Sequence, residues 1–379
     1  MYISRSLQLA QVLKRNSVLL LGPRRTGKSS LITHELKPDR SYNLLEADVF
    51  QALSARPSLI RESLRAKDKL IAIDEIQKLP VLMDEVHALL ETHNVRFVLT
   101  GSSARKLMRS HTKLMGGRAR SMTLHPLSYG ELKDFDMERA LRFGTLPFVY
   151  LSEEPQDDAS GYVSDYIREE IVAEGMARNA QQFSRFLEGA AVSHTLELNF
   201  EAIGREAQVP ARTVRDYYAI LADTLFGETI FPYQKTVSRK ATTHGKFYFF
   251  DITVPHSLLK VRELVRATPA YAAAFEHMVF RELRTYRDYR SRDTELCFYR
   301  DVSKREIDFL VNGNIGIEVK SGAMVADRDL KTLKVVGDEL KLKRKIVVSR
   351  ERFRRRVGDI DIIPMTEFLE ELWSGELIA

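Results

Sequence analysis

A short apolar run, Ser17–Leu21, ends directly in Gly22-Pro-Arg-Arg-Thr-Gly27-Lys28-Ser29, and a helical pattern over Ser30–Leu36 follows at once. No other stretch of the chain restricts the fold so tightly. In a G-x-x-x-x-G-K-S run between a strand and a helix, the glycines let successive backbone N–H groups turn inward. The helix N-terminus then adds positive potential where phosphates sit. Gly22, Pro23, Arg24, Arg25, Thr26, Gly27, Lys28, Ser29 and Ser30 are therefore the expected nucleotide-binding residues. Lys28 is expected to reach the β- and γ-phosphates of ATP, and the Ser29 hydroxyl to hold Mg²⁺.

A second apolar run, Leu70–Ile73, ends in Asp74-Glu75. Two acids in this place either cap a following helix or serve the phosphate site, and the loop upstream favours the site. Asp74 then belongs to the Mg²⁺ shell, and Glu75 orients and polarises the attacking water. The run Arg96–Thr100 continues into Gly101-Ser102-Ser103, where a polar side chain faces the γ-phosphate if this strand lies between the other two. Before the fifth run, Ser121–Leu124, stand Arg118 and Arg120. They are either surface ion-pair partners or charges that stabilise phosphoryl transfer on a neighbouring subunit's nucleotide.

These pieces, with Ile73-Asp-Glu-Ile-Gln77, Leu99-Thr-Gly-Ser-Ser103 and Gly116-Gly-Arg118 followed by Leu124-His-Pro-Leu-Ser-Tyr-Gly-Glu-Leu132, resemble the prokaryotic AAA+-type ATPases that carry a C-terminal domain of unknown function. The likeness runs through nearly all of the chain. It implies an ASCE-type P-loop sheet with strand order 5-1-4-3-2, and Ser102 or Ser103 in the sensor position.

The whole chain reads as α/β. Strand-like runs alternate with helical spacing up to a polar break at Leu151–Ser160, residues 161–230 are helical in pattern, and strands return from Lys246 at Phe247–Phe250, Glu295–Tyr299, Ile307–Val311, Ile315–Val319 and Lys345–Val348. Three units are expected: an ATPase domain over 1–150, a helical winged-helix-like domain over 151–245, and an α/β domain over 246–379. A length of 379 residues suits two or three cores. The single cysteine, Cys297, excludes an internal disulfide and a thiolate zinc site. No run approaches the roughly 18 apolar residues of a membrane span, and no secretory leader pattern opens the chain, so a cytoplasmic protein is expected.

In the middle segment, Asn199–Leu221 reads as helix, turn, helix, with Ile203, Ala207 and Val209 inward on the first and Val214, Tyr218 and Leu221 inward on the second. Leu225–Pro232 supplies a wing strand. This resembles a winged helix-turn-helix that presents Arg212, Thr213 and Arg215 to a DNA major groove; such units also serve as protein-binding or lid elements. Toward the C-terminus, Asp308 and Glu318 lie on two strands joined by Asn312-Gly-Asn314, and Lys320 shares a face with Glu318. With Glu276 (or Glu282) on an upstream helix, this is similar to the PD-(D/E)xK restriction-endonuclease-like core, although Ile307 replaces the usual proline. Asp308, Glu318 and Glu276 would then hold a metal ion, with Lys320 as the catalytic lysine; otherwise the group is a salt-bridged hairpin face.

Net charge is +6, yet Lys341–Arg356 alone holds nine basic residues against Glu351. Its excess of eight outweighs the total, so the rest of the chain is slightly acidic. The segment is either a solvated edge strand or a polyanion-binding edge. The expected function is a Mg²⁺-dependent ATPase acting on DNA, with metal-dependent DNA cleavage by the C-terminal domain. The alternative is a nucleotide-dependent switch or remodelling protein that acts on a protein partner and keeps the nuclease fold as a scaffold. DNA is the expected partner; a protein partner and a homo-oligomer are alternatives that the sequence leaves open, and no membrane association is expected.

Overall fold

In the computed structural model, which describes residues 2–102, 117–166, 179–234, 244–290 and 293–378, two compact units are present. The first runs to Leu127 and includes Asp223–Phe226; the second holds the remainder. Among the described residues, no helix is long and apolar enough to cross a membrane.

The apolar runs of the first unit pair as a sheet of five strands: β1 (Ser17–Leu21), β2 (Arg40–Asn43), β3 (Leu70–Asp74), β4 (Arg96–Gly101) and β5 (Ala119–Thr123). Their order is β2-β3-β4-β1-β5 and every pairing is parallel. This is the expected 5-1-4-3-2 order of the P-loop ASCE fold. Parallel strands need crossovers that cover the sheet faces, so the central strands are apolar on both sides. All five residues of β1 are buried. On one face Leu19, Leu21, Ile71, Ile73, Phe97 and Leu99 share a core with Leu82, Met83, Val86 and Leu89 of the helix Leu82–Thr92.

The two edge strands depart most from the apolar runs that mark them in the sequence, Tyr42–Leu45 and Ser121–Leu124. β2 begins at Arg40 because polar groups anchor its start: Arg40 pairs with Asp68, and the Asp39 carboxylate accepts from the Lys69 and Leu70 amides at 2.8 and 3.0 Å. An apolar count cannot register such a start.

In the second unit, the helices Phe200–Ala207 and Ala211–Asp223 are joined through Gln208, which takes a left-handed conformation at φ 56°. Asn199 caps the first, accepting from the Ala202 amide at 2.9 Å. Ile203, Ala207, Val209, Val214, Tyr218 and Leu221 are all buried. The helix Ala180–Val192 adds Phe186, whose ring meets Tyr218 edge to face at 5.0 Å. Strand β6 (Gly227–Ile230) pairs antiparallel with β7 (Lys246–Phe249) as a separate two-stranded sheet, so a boundary at 245/246 would separate the two strands of this pair.

The remaining strands are β8 (Leu296–Arg300), β9 (Glu306–Val311), β10 (Ile315–Lys320), β11 (Arg344–Ser349), β12 (Arg355–Val357) and β13 (Ile360–Pro364). They lie in the order β12-β13-β11-β10-β9-β8. β8, β9 and β10 form an antiparallel meander; β11 is parallel to both β10 and β13. The β9–β10 turn uses Asn312 and Gly313 at φ 53° and 64°, the left-handed pair of a tight hairpin. The helix Pro269–Arg290 covers one face with Phe275, Val279 and Phe280 against Phe309, Ile317, Ile346 and Val348. Leu330, Leu333 and Val336 of the helix Asp327–Glu339 cover the other with Ile307, Leu310 and Val347.

The strand expected at an edge in Lys341–Arg356 is a central one. The basic segment does not place its strand at an edge: β11 lies between β10 and β13, and Ile346, Val347 and Val348 are fully buried. The apolar run Ile360–Ile363, unread as a strand, supplies the outer neighbour, and the edge is the short β12. Ile346→Ala is therefore expected to cost about 2–5 kcal/mol, read as a lowered urea midpoint of the second unit. A loss under about 0.5 kcal/mol, as for a surface position, would contradict a central β11.

Candidate functional sites

At the end of β1 the chain turns through Gly22, where an added Cβ would lie 2.5 Å from the Leu124 carbonyl oxygen, and through Gly27 at φ 98°. Both positions exclude a side chain, the first by contact and the second by backbone conformation. Lys28 begins the helix Lys28–Leu31, and its ammonium donates to the Gly22 and Pro23 carbonyls at 2.7 and 3.1 Å. The Thr26 hydroxyl donates to Pro23 O at 2.9 Å. Arg24 is half-buried; Arg25, at φ 59°, and Ser30 are exposed. A residue outside the motif also fastens the loop. Arg5 donates to Thr26 O at 2.8 Å and to His125 O at 2.6 Å, tying the loop to the segment after β5. No spacing rule links Arg5 to a loop so far downstream, so the sequence carries no sign of it.

Because β4 runs between β3 and β1, Ile73 is level with Leu99 and Leu20 with Thr100. The polar ends of the three strands consequently meet. The Ser29 hydroxyl donates to Asp74 Oδ2 at 2.5 Å, and the Thr100 hydroxyl donates to Asp74 Oδ1. The Glu75 amide donates to Thr100 Oγ1 at 3.0 Å. Glu75 itself takes a left-handed φ of 59°, a rare conformation for a non-glycine residue, which turns its carboxylate out of the strand line. Gln77 donates to Glu75 Oε2 and, at 3.0 Å, to Ser102 Oγ. Ser102 is buried beside this group; Ser103 lies outside the described residues. Thr100 and Gln77 were not among the expected site residues. Thr100 stood in view at the end of its strand, and only the register reveals its role.

Arg118 donates to Glu91 of the helix Leu82–Thr92 at 3.0 Å, with both side chains about half exposed. The stretch of sequence around it contains no acid, but the fold brings one. Arg120 is exposed on β5, an edge of the sheet.

In the second unit, Glu276 from the helix Pro269–Arg290 and Asp308 from β9 are brought together, but around an unexpected partner. Lys246 Nζ lies 2.5 Å from Glu306, 3.3 Å from Glu276 and 3.8 Å from Asp308. The Tyr248 hydroxyl donates to Glu276 Oε1 at 2.6 Å. Asp308 Oδ2 accepts from the Val319 amide at 2.8 Å, and Lys320 donates to Glu318 Oε1 at 2.6 Å. Glu318 Oε2 is buried without a hydrogen-bond partner among the described residues. Burial, with Asp308 nearby, pushes the Glu318 carboxyl up to about 8. Burial likewise raises Glu276 to about 7, although Lys246 opposes the rise, and it raises Asp308. Burial works against the charge on Lys246, but the carboxylates of Glu276, Asp308 and Glu306 outweigh it and raise the lysine. Among the described residues, no three His, Cys, Asp or Glu side chains form a set able to hold one metal ion. As these side chains stand, the cluster does not fit a divalent ion. Glu282 serves elsewhere, accepting from Trp373 Nε1 at 2.7 Å and the Tyr129 amide at 3.1 Å.

Arg212 and Arg215 are exposed and Thr213 half-exposed on the helix Ala211–Asp223, and the Arg215 guanidinium lies over the Phe200 ring at 5.2 Å. Five of the nine basic residues in Lys341–Arg356 have an acidic partner. Arg344 and Arg354 engage Glu371, Lys345 engages Asp338 and Asp359, Arg355 engages Glu351, and Arg356 lies 3.7 Å from Asp361.

Residues 14–133 match the family described as AAA domain, residues 134–264 a domain of unknown function (DUF8612), and residues 271–368 a domain of unknown function (DUF4143). No curated protein matches the chain. Similar solved structures include the ORC1 protein of Aeropyrum pernix in complex with DNA, at 13% identity and TM-score 0.28, covering 69% of this chain and 93% of that one. Drosophila ORC bound to AT-rich DNA and Cdc6 matches at 10% identity and TM-score 0.24, covering 67% and 89%. Can2 from Sulfobacillus thermosulfidooxidans in complex with cyclic tetra-adenylate matches at 11% identity and TM-score 0.21, covering 97% and 99%. At such scores these likenesses carry no argument about fold or function. The AAA match is confined to residues 14–133, where the chain is similar to the AAA domain.

Proposed function

We propose that the chain binds and hydrolyses ATP with Mg²⁺ and uses the reaction to act on DNA. The observation that supports this most is the meeting of Ser29, Asp74 and Thr100 beside Glu75 at the mouth of the glycine loop. The group's donor set fits a Mg-nucleotide: a hydroxyl and a carboxylate already in contact, under a loop with no room for a Cβ at Gly22. Gly22 to Ser30 would hold the phosphates, and Ser29 and Asp74 the Mg²⁺. When bound, Mg²⁺ supplies charge that neutralises the β- and γ-oxygens. Lys28 exchanges its two carbonyl partners for phosphate oxygens. Glu75, steadied by Gln77, orients water and draws its proton. Thr100 fixes the Asp74 carboxylate, and Ser102, beside Gln77, would sense the γ-phosphate. Arg118 and Arg120, near the edge strand, suit a role toward the nucleotide of another copy in an oligomer. The DNA part rests on the exposed Arg212 and Arg215 and the half-exposed Thr213 of the second helix in the winged-helix-like pair. Metal-dependent DNA cleavage at Asp308, Glu318 and Lys320 gains no support from their cluster, because an ammonium already lies among its carboxylates.

The second reading is a nucleotide-dependent switch that remodels a protein partner, with the C-terminal domain as scaffold. The internal ion pairing of Lys341–Arg356 favours it, since paired charges release little counterion on meeting a polyanion.

ATP turnover, measured with and without duplex DNA, tests the first reading. Lys28→Ala is expected to lower turnover by about 10²-fold or more. Glu75→Gln should still bind ATP and hydrolyse it ~10²-fold or more slowly. Near wild-type rates in both would remove the ATPase assignment. Arg212→Ala/Arg215→Ala should weaken DNA retention and reduce the salt slope by up to about 2; unchanged retention would shift the choice to the switch.

The scaffold reading carries a pH prediction. Glu276 and Glu318 hold protons in the folded state up to about 7 and 8, whereas the unfolded chain releases them near about 4.5. A carboxyl with a raised folded pKa stabilises fully below its unfolded value and loses that contribution as pH rises through the folded one. The melting temperature of the second unit should therefore fall from pH 5 to pH 9. Glu318→Gln, neutral throughout, should flatten the upper part of that fall; an unchanged profile would deny the buried proton.

A further inference from the structure

Three acidic side chains, Glu276, Glu306 and Asp308, crowd one end of β9 with a single lysine among them. Buried carboxylates that are ionised cannot remain this close without a cation, because the loss of hydration and their mutual repulsion both oppose it. Divalent ions answer that need by binding carboxylate oxygens at about 2.0–2.6 Å. Here the need is already met by covalent design. Lys246 Nζ lies 2.5–3.8 Å from all three groups, and its side chain is only 3% exposed. The ammonium cannot drift away as a free ion would, because β7 is paired along its length with β6, Lys246 opposite Ile230, and the Lys246 backbone also forms an antiparallel bridge with that of Glu197. Tyr248, two residues along the same face, steadies Glu276 from the same strand. Arg300 supports Glu306 from outside.

We propose that the Lys246 ammonium is the resident cation of the Glu276–Glu306–Asp308 cluster and keeps divalent metal ions out of it. The inference depends on neither the ATPase nor the DNA reading. It makes the cluster a latent metal site, opened by removal of one side chain and indifferent to chelators while that side chain is present.

Mn²⁺ titration of the full chain without nucleotide, followed by electron paramagnetic resonance, tests it. Wild type should hold no Mn²⁺ that Asp308→Asn removes. Lys246→Met should gain one Mn²⁺ per chain and lose it again in Lys246→Met/Asp308→Asn. A wild-type Mn²⁺ site abolished by Asp308→Asn overturns the proposal, as does a folded Lys246→Met with no added ion. Should Lys246→Met fail to fold alone, the proposal requires that folding return with Mn²⁺ or with Glu276→Gln as a second substitution, since either relieves the excess negative charge. Failure of both also overturns it.

Discussion

Insertion of β4 between β1 and β3 is the constraint on which the nucleotide-site geometry depends. Parallel strands twist and align in fixed register, so the pairings Ile73 with Leu99 and Leu20 with Thr100 decide which side chains stand at the common strand ends. Ser29 arrives from the loop after β1, Asp74 from β3 and Thr100 from β4, and two hydrogen bonds on one carboxylate join them. A site assembled in this way is positioned by the buried core beneath it. Ile71, Ile73, Phe97 and Leu99, all fully buried, hold the strands that aim the polar groups.

The five-strand sheet was legible because its signals are local and strong: apolar runs of strand length, a glycine loop, and helical spacing between them. The order of the strands was not local; it came from resemblance. The apolar run of Ile360–Pro364 is plain, but nothing local in it says that it pairs parallel outside β11 and makes that strand a central one. Thr100, Gln77 and Arg5 were missed for a different reason. Each acts by a contact between residues far apart in sequence, and no spacing within one element encodes such a contact. Asp74 and Glu75 were legible because they sit on the strand that names them.

Charge was the least readable property. Counting along the chain marks Lys341–Arg356 as a basic surface, but folding returns Glu371, Asp338, Asp359, Glu351 and Asp361 to its side. Arg118 has no acid close in sequence and has Glu91 close in space. Surface pairs of this kind contribute little stability each, yet they change what the surface presents to a polyanion. A local excess is informative only after the partners from other elements are in place.

Strand β7 shows how one short element can serve two environments. Its alternate residues point to opposite faces. Phe247 meets Tyr218 of the helix Ala211–Asp223 at 4.9 Å and Phe249 at 5.2 Å, while Lys246 and Tyr248 reach Glu276 on the other face. The aromatic face continues through Tyr218 to Phe186, and the polar face through Glu276 to the long helix Pro269–Arg290. A side chain that supplies the charge of an acidic cluster is thus fixed to the strand that backs the helix-turn-helix pair. Any partner that shifts this pair must therefore work against the aromatic packing of Phe247 before it can move Lys246, and the ammonium stays fixed among its carboxylates for as long as that packing holds.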